Sequence, residues 1–303
     1  MEFKKYQHIE RFGTDEVEGI EFGECIIFYK IDGTNSSVWL DDYGVLKAGS
    51  RNRELTLDND NAGFYNVVSQ DQRVIDYLTK HPNHRLYMEW LVPHSLKTYR
   101  FDAWRKFYVF DVCLDKEDGG VEYLPYDIYK EYLEEFNIDY IPPLAKIKNP
   151  TYDSLVKLLD KTGQFLIEDG KGKGEGIVIK NYDYYNKYHR QTWAKIVCNE
   201  FKETQHKTMG CPEINSTIST EEKIIQQFCT QSFIEKEYEK ICNEQNGWSS
   251  KYIPMLLGTV WHEFITEEIW NILKTYKNPN INFKTLNAFL IQKIKEVKSE
   301  IFY

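Results

Sequence analysis

The sequence has no apolar run approaching the roughly 18 residues of a membrane-spanning helix, and Met1 to Tyr6 carry no apolar signal core. A membrane-bound or secreted product is therefore not expected, and the cytoplasm is the expected compartment. Cysteine is sparse and scattered: Cys25, Cys113, Cys198, Cys211, Cys229 and Cys242 include no Cys-x-x-Cys pair. That excludes a disulfide scaffold and a zinc ribbon, and leaves reduced thiols, several in the core. Positive charge is also short. The 38 Lys and Arg against 47 Asp and Glu give a net charge of -9, which argues against bulk attraction to a polyanion. No internal repeat and no low-complexity tract interrupts the chain.

Aromatic residues make up 15% of the 303 residues and hydrophobic ones 42%, enough to bury a sizeable core. The spacing predicts one large and one small domain, residues 1–203 and 204–303. In the first, Cys25–Tyr29, Ser36–Leu40 and Val45–Ala48 read as an antiparallel meander, turning at Asp32-Gly33 and at Asp41–Gly44. Asn66–Lys80, Asp127–Phe136 and Tyr152–Thr162 read as helices, the last capped by Thr151 or Asp153. Leu86–Val92, Lys106–Leu114, Phe165–Glu168, Gly176–Lys180 and Trp193–Cys198 read as strands, and Ile141–Leu144 as a turn. After a polar linker, Thr204–Ser219, the segments Thr220–Asn243, Tyr252–Lys277 and Asn282–Ile301 all read as helices. The fold class expected is α+β: an antiparallel-sheet domain followed by a smaller all-helical one.

Lys30 is the residue that needs explaining. It ends the apolar run Cys25–Tyr29, where desolvating an ammonium is costly. That cost becomes useful if the amine is a nucleophile, because burial and cationic neighbours lower its pKa. A surface lysine beside a hairpin turn is the plainer reading of the same six residues. Charge is distributed unevenly: Lys171, Lys173, Lys180, Lys187, Arg190 and Lys195 cluster against Glu175 and Asp183, whereas Asp115 to Asp139 is strongly acidic. A phosphate-binding face on an acidic protein follows.

Six short elements occur in order: Lys30-x-Asp-Gly-Thr-Asn35, Ser50-Arg51, Met88-Glu89-Trp90, Phe107-Tyr-Val-Phe-Asp111, Glu175-Gly-Ile-Val-Ile-Lys180 and Trp193-Ala-Lys195. This order resembles the covalent nucleotidyltransferases, a superfamily of ATP-dependent DNA and RNA ligases and mRNA capping enzymes. It most resembles the RNA ligases of the phage T4 RNA ligase 2 type, over about the first two-thirds of the chain. Asn35, in place of the arginine of DNA ligases and capping enzymes, and a helical tail in place of an OB barrel point to that branch. A DNA ligase, a capping-type enzyme or a non-catalytic RNA-binding relative are the alternatives.

The resemblance implies an ATP-dependent RNA ligase with Mg²⁺ or Mn²⁺ as cofactor. Lys30 attacks the α-phosphorus of ATP, AMP passes to an RNA 5′-phosphate, and a 3′-hydroxyl displaces it. It assigns Lys30 as nucleophile and Asp32 and Gly33 to the turn beside the nucleotide. Asn35 contacts a phosphate or terminal ribose, Arg51 (with Arg53 as alternative) the ribose or a phosphate, and Glu89 a ribose hydroxyl. Phe107 stacks on the adenine, with Tyr108 on the opposite face, Phe110 in the core and Asp111 structural. Glu175 holds hydrated metal, and Lys180 and Lys195 the α-phosphate. The expected partner is RNA, a nicked duplex or a broken single strand, and the expected state a monomer. One departure stands out: the family's last motif is Lys-x-Lys, and here Val197 takes the second position. Lys187, Arg190 or Lys202 are possible substitutes. Gly170–Gly174 reads as a flexible hairpin, since no Gly-Lys-Ser/Thr completes a phosphate loop, and His81 to His84 as a surface turn.

Overall fold

The computed structural model describes residues 1–92, 99–116, 119–198, 219–277 and 279–302. The linker Thr204–Ser219 short of its last residue, together with Lys202, Pro93 and His94, lies outside the described residues; Ser219 is described and accepts from Glu222 N–H. The chain divides into two compact units, Met1–Phe201 and Lys202–Tyr303.

The first unit is built from two sheets. One has five strands in the order β1-β11-β10-β2-β9: β1 Glu10–Arg11, β2 Glu24–Lys30, β9 Pro143–Lys148, β10 Gly176–Lys180 and β11 Ala194–Val197. The other has six in the order β5-β4-β3-β6-β7-β8: β3 Thr34–Leu40, β4 Leu46–Ser50, β5 Glu54–Leu55, β6 His84–Leu91, β7 Lys106–Asp115 and β8 Val121–Tyr123. Pairing is antiparallel except between β1 and β11. The expected hairpin across Asp32-Gly33 is absent. β2 and β3 belong to different sheets, and residues 31–33 are a crossover between them. Of the expected meander, β3 and β4 do form a hairpin, closed by Asp41 Oδ1 accepting from the Tyr43 and Val45 N–H groups.

Other expectations shift for local reasons. Asn66–Lys80 is two helices, α1 Phe64–Val68 and α2 Gln72–Lys80; Asp71 caps the second by accepting from Arg73 N–H. The proline pair at residues 142–143 opens β9 instead of turning the chain, because Pro143 stands first in an edge strand, where a missing donor costs little. Tyr126–Glu135 is α3; α4 spans Tyr152–Leu158, with Thr151 as N-cap, and runs on as a 3₁₀ turn. Phe165–Glu168 forms no strand; only Ile167 bridges, to Tyr99.

On β2 the side chains alternate. Cys25 and Ile27 join Ile177 and Ile179 of β10 in a small core with Leu155 and Leu158 of α4. Ile26 and Phe28 join Val178 in the large core, which takes in residues from both sheets. Lys180 lies on this inner face, 2% exposed. Its Nζ donates to the Phe110 carbonyl at 2.6 Å and to Asp111 Oδ1 at 2.7 Å, bonding one sheet to the other. Burial pushes the Lys180 pKa down and Asp111 opposes this. Asp111 also accepts from Tyr6 Oη and Trp193 Nε1, so the carboxylate is saturated.

The second unit holds four helices among the described residues: α5 Thr220–Phe228, α6 Gln231–Glu244, α7 Ile253–Tyr276 and α8 Phe283–Val297. The single helix expected over Thr220–Asn243 breaks at Cys229 because Thr230 caps a new start, accepting from Phe233 N–H. Leu256, Val260, Phe264 and Ile272 of α7 pack against Leu286, Leu290 and Ile294 of α8. Among the described residues this unit has no strand, and no helix of the chain is long and apolar enough to cross a membrane.

The buried ion pair generates a stability prediction. Lys180→Met leaves Asp111 charged and short of its cation, and is expected to cost about 3–5 kcal/mol in urea unfolding. Adding Asp111→Leu is expected to recover part of this, not all, because Tyr6 and Trp193 then lose their acceptor.

Candidate active site

The site is assembled from two cross-strand rows, one in each sheet. Lys30 is the last residue of β2 and follows Ile26 and Phe28 on the inner face. Gly176 of β10 stands opposite it, and Val197 of β11 opposite Gly176. One step inward the row is Phe28–Val178–Lys195. In the six-stranded sheet, Asn35 of β3 pairs with Glu89 of β6, which pairs with Tyr108 of β7.

The crossover 31–33 ties the rows together. Gly33 N–H donates to Glu89 Oε1 at 2.9 Å, and Asp32 N–H donates to Tyr99 Oη at 2.7 Å. A Cβ on Gly33 would lie 2.6 Å from the Trp90 carbonyl oxygen, so a side chain is sterically barred there. The close approach is thus to strand β6. Lys30 Nζ donates to Glu175 Oε2 at 2.6 Å; the lysine side chain is 22% exposed and the glutamate 9%. Asp32 is buried, and Glu89 half-buried. Burial raises the Glu89 pKa to about 7; Lys30 works against the shift, Glu175 adds to it, the Gly33 N–H works against it and Asp32 adds to it.

Not every expected residue comes to this place. Phe107 does not share a face with Glu89. It pairs with Trp90, is 3% exposed, and packs edge-on against Phe64 with the Arg73 guanidinium 5.8 Å from its ring centre. A bulge between Tyr87 and Met88 resets the alternation of β7, so that Tyr108 lies on the inner face beside Glu89. Tyr108 lies on the face opposite Phe107, as expected, and it is the one of the two that shares the face of Glu89. Lys180, expected at a phosphate, spends its donors on Asp111 and Phe110 inside the core. Lys195 is on the inner face with Lys30, 8% exposed. Arg51 follows the end of β4 and makes no hydrogen bond or ion pair among the described residues. Arg53 is committed to the Asn59 and Asp60 carbonyls.

The proposed substitutes for a second lysine lie elsewhere. Lys187 and Arg190 sit in the connection from β10 to β11, at the end of those strands away from Gly176. Lys187 Nζ is 3.9 Å from Asp15 and lies over the Tyr188 ring. Residues 81–84 form the expected turn, closed by His84 N–H donating to the His81 carbonyl at 3.0 Å with Pro82 and Asn83 exposed, but its two histidines pack inward. Their rings stack at 4.7 Å within an aromatic cluster, and His84 Nδ1 shares a hydrogen bond with Tyr77 Oη. Burial lowers the His84 pKa to about 4.

Two facing antiparallel sheets with a lysine and carboxylates at their shared mouth define the nucleotidyltransferase fold. The RNA ligase family model matches residues 23–197, more than half the chain, and the chain belongs to that family. It is similar in fold to the Naegleria gruberi RNA ligase solved with AMP and Mn, at 18% identity and a TM-score of 0.52 over 67% of this chain and 58% of that one. The same ligase solved with PPi matches at 20% identity and 0.52 over 68% and 59%. A mutant with ATP and Mn matches at 19% and 0.53 over 68% and 58%. This chain therefore spans less than two thirds of those ligases. No curated protein matches it by sequence.

The Glu89 shift has a sign. A carboxyl whose pKa is raised to about 7 holds its proton in the native state where the unfolded chain has lost it. Stability is then largest below the ordinary carboxylate pKa of roughly 4.3 and falls as pH rises toward about 7. Glu89→Gln removes the titration. Urea unfolding at several pH values is expected to show wild type losing stability relative to this variant between those limits; parallel curves would reject it.

Proposed function

We propose that this chain is an ATP-dependent RNA ligase, joining a 3′-hydroxyl to a 5′-phosphate through lysyl-AMP and RNA-adenylate intermediates. The observation that carries the reading is Lys30 Nζ held at 2.6 Å by Glu175, at the mouth between sheets, in a chain of this family. The neighbours' bound AMP, ATP, PPi and Mn support the nucleotide and a divalent metal.

Lys30 must attack as the free amine. Glu175 is placed to receive its proton as the Nζ–Pα bond forms and the bond to the β-phosphate oxygen breaks, releasing pyrophosphate. An oxygen of the RNA 5′-phosphate then displaces Lys30, and the 3′-oxygen finally displaces AMP. Asn35 and Glu89, side by side on one face, suit ribose hydroxyls. Tyr108, on that face, takes the stacking role expected of Phe107. Lys195 and Arg51 remain for phosphates. Glu89 and Glu175 are hard oxygen donors of the kind that magnesium or manganese takes. Among the described residues no group of three or more His, Cys, Asp and Glu can hold a metal ion, so these two would act partly through its waters. The metal, when bound, neutralises charge on the transferring phosphoryl oxygens.

The helical second unit supports this reading over a DNA ligase or capping enzyme, which would carry a barrel there. Monomeric state and a cytoplasmic, reducing compartment belong to the same proposal; the described cysteines are all free.

Two outcomes test it. Lys30→Ala is expected to abolish labelling by α-labelled ATP yet still join RNA that already bears a 5′-adenylate; retained labelling would overturn the assignment. Val197→Lys adds a cation in the Lys30 row. It is expected to lower the ATP concentration for half-maximal labelling several-fold, and a large loss of labelling would show that Val197 is needed for packing.

A further inference from the structure

Between β6 and β7, the Phe101 ring makes no ring contact among the described residues. Phe101 is 96% exposed, the most exposed large hydrophobic residue of the described chain. Its support is firm. Ala103 is buried and its carbonyl accepts from Tyr108 Oη; Arg100 N–H donates to the Leu166 carbonyl at 2.9 Å. Tyr99, two residues before Phe101, accepts from the Asp32 N–H in the turn after Lys30.

The residues next to Phe101 in the chain carry more positive than negative charge, on an acidic protein. Arg100, Arg105 and Lys106 are exposed, against Asp102, which pairs with Arg100 at 3.2 Å. Arg105 has φ of 56°, a left-handed conformation rare outside glycine, and its N–H donates to the Leu91 carbonyl. Backbone strain of this kind persists where the surroundings enforce it, and here it sets an exposed arginine at the end of the strand that carries Tyr108. Lys106 pairs with Leu91, one alternation beyond Tyr108 and on the same face of β7.

We infer that Phe101, with Arg105 and Lys106, is a platform for an unpaired nucleotide of the RNA strand beside the break. The base stacks on the ring, and the flanking phosphates meet the cations. This rests on the RNA ligase reading and narrows it. A lone protruding ring gains most from a base not already stacked in a duplex, so the platform selects a single-stranded or frayed end. Base–aromatic stacking tolerates any base, and is removed by alanine substitution. Each phosphate contact adds salt dependence.

The test uses the full chain and a fluorescent, 5′-phosphorylated single-stranded RNA, with a blunt duplex of the same sequence for comparison. Phe101→Ala is expected to weaken single-strand binding about five-fold or more, the lower end for one stacked base, with Phe101→Trp restoring it. Duplex binding is expected to change less than two-fold. The Arg105→Ala, Lys106→Ala double variant is expected to flatten the slope of log K against log salt by about 1.4, at roughly 0.7 per lost contact on a single strand. Unchanged binding by Phe101→Ala, or equal weakening on duplex, would overturn the platform. So would a dimer in sedimentation that Phe101→Ala dissolves, since the ring would then serve a second copy. Labelling by α-labelled ATP without RNA separates the two claims. Wild type that binds RNA through Phe101 but never forms lysyl-AMP refutes the ligase reading and leaves the platform standing. Normal labelling with Phe101-independent binding refutes the platform alone.

Discussion

One close backbone approach holds the site together. Gly33 passes the Trp90 carbonyl with no room for a Cβ, and its N–H is spent on Glu89. The chain can therefore leave one sheet at Lys30 and enter the other at Thr34 with only three residues between. Any longer connection would carry Lys30 and Glu89 apart, because they belong to strands that share no ladder. The Tyr99 hydroxyl takes the Asp32 N–H and fixes the other side of the crossover. The crossover between the two rows is thus pinned by two main-chain donors on the Glu89 and Tyr99 side chains.

Charge follows from that placement. Asp32, Glu89 and Glu175 lie about the Lys30 ammonium, and burial, with Glu175 and Asp32 adding to it, raises the Glu89 pKa to about 7. Such a site repels a triphosphate unless cations accompany it, which is the electrostatic reason a divalent metal belongs to the proposed reaction. The same fold treats another inner-face lysine oppositely. Lys180 is sealed in and satisfied by Asp111 and a carbonyl, so it is a structural cation joining the sheets. Lys30, partly exposed at the mouth, keeps access to a substrate.

Much of this was legible in the sequence. Gly176–Lys180 is a pure apolar run with a terminal lysine, and its strand has those bounds. The helical tail was legible from its periodicity. Other features were not, for identifiable reasons. Tyr108 does lie opposite Phe107, but the bulge opposite Tyr87 shifts both relative to Asp111, so that Tyr108 and not Phe107 shares the inner face with Asp111 and Glu89. Nothing local distinguishes Lys180 from a solvent-facing lysine, because its partner Asp111 is 69 residues away. An Asp-Gly pair between two β-like runs is a strong hairpin signal, yet the strands it joins lie in different sheets. The crossover is decided by the carbonyl of Trp90, far along the chain.

The Lys30 row shows what a single substitution in a motif does physically. Gly176 has no side chain, and a Cβ there would overlap the Ile196 carbonyl oxygen. The main chain of β11 fills that place, and Lys30 and Val197 stand two strand spacings apart in the row, roughly 9–10 Å. A lysine at 197 would add a second cation to the Lys30 row. Valine leaves an apolar wall instead, and Lys187 and Arg190, at the far end of the strands, are out of reach. The fixed cation on that side reduces to Lys195, one step deeper and almost buried. On the proposed reaction, neutralisation of the α-phosphate then falls more heavily on the metal. On that same proposal the site offers a nucleotide fewer permanent charges, and the expected affinity depends more steeply on the divalent cation than on the protein.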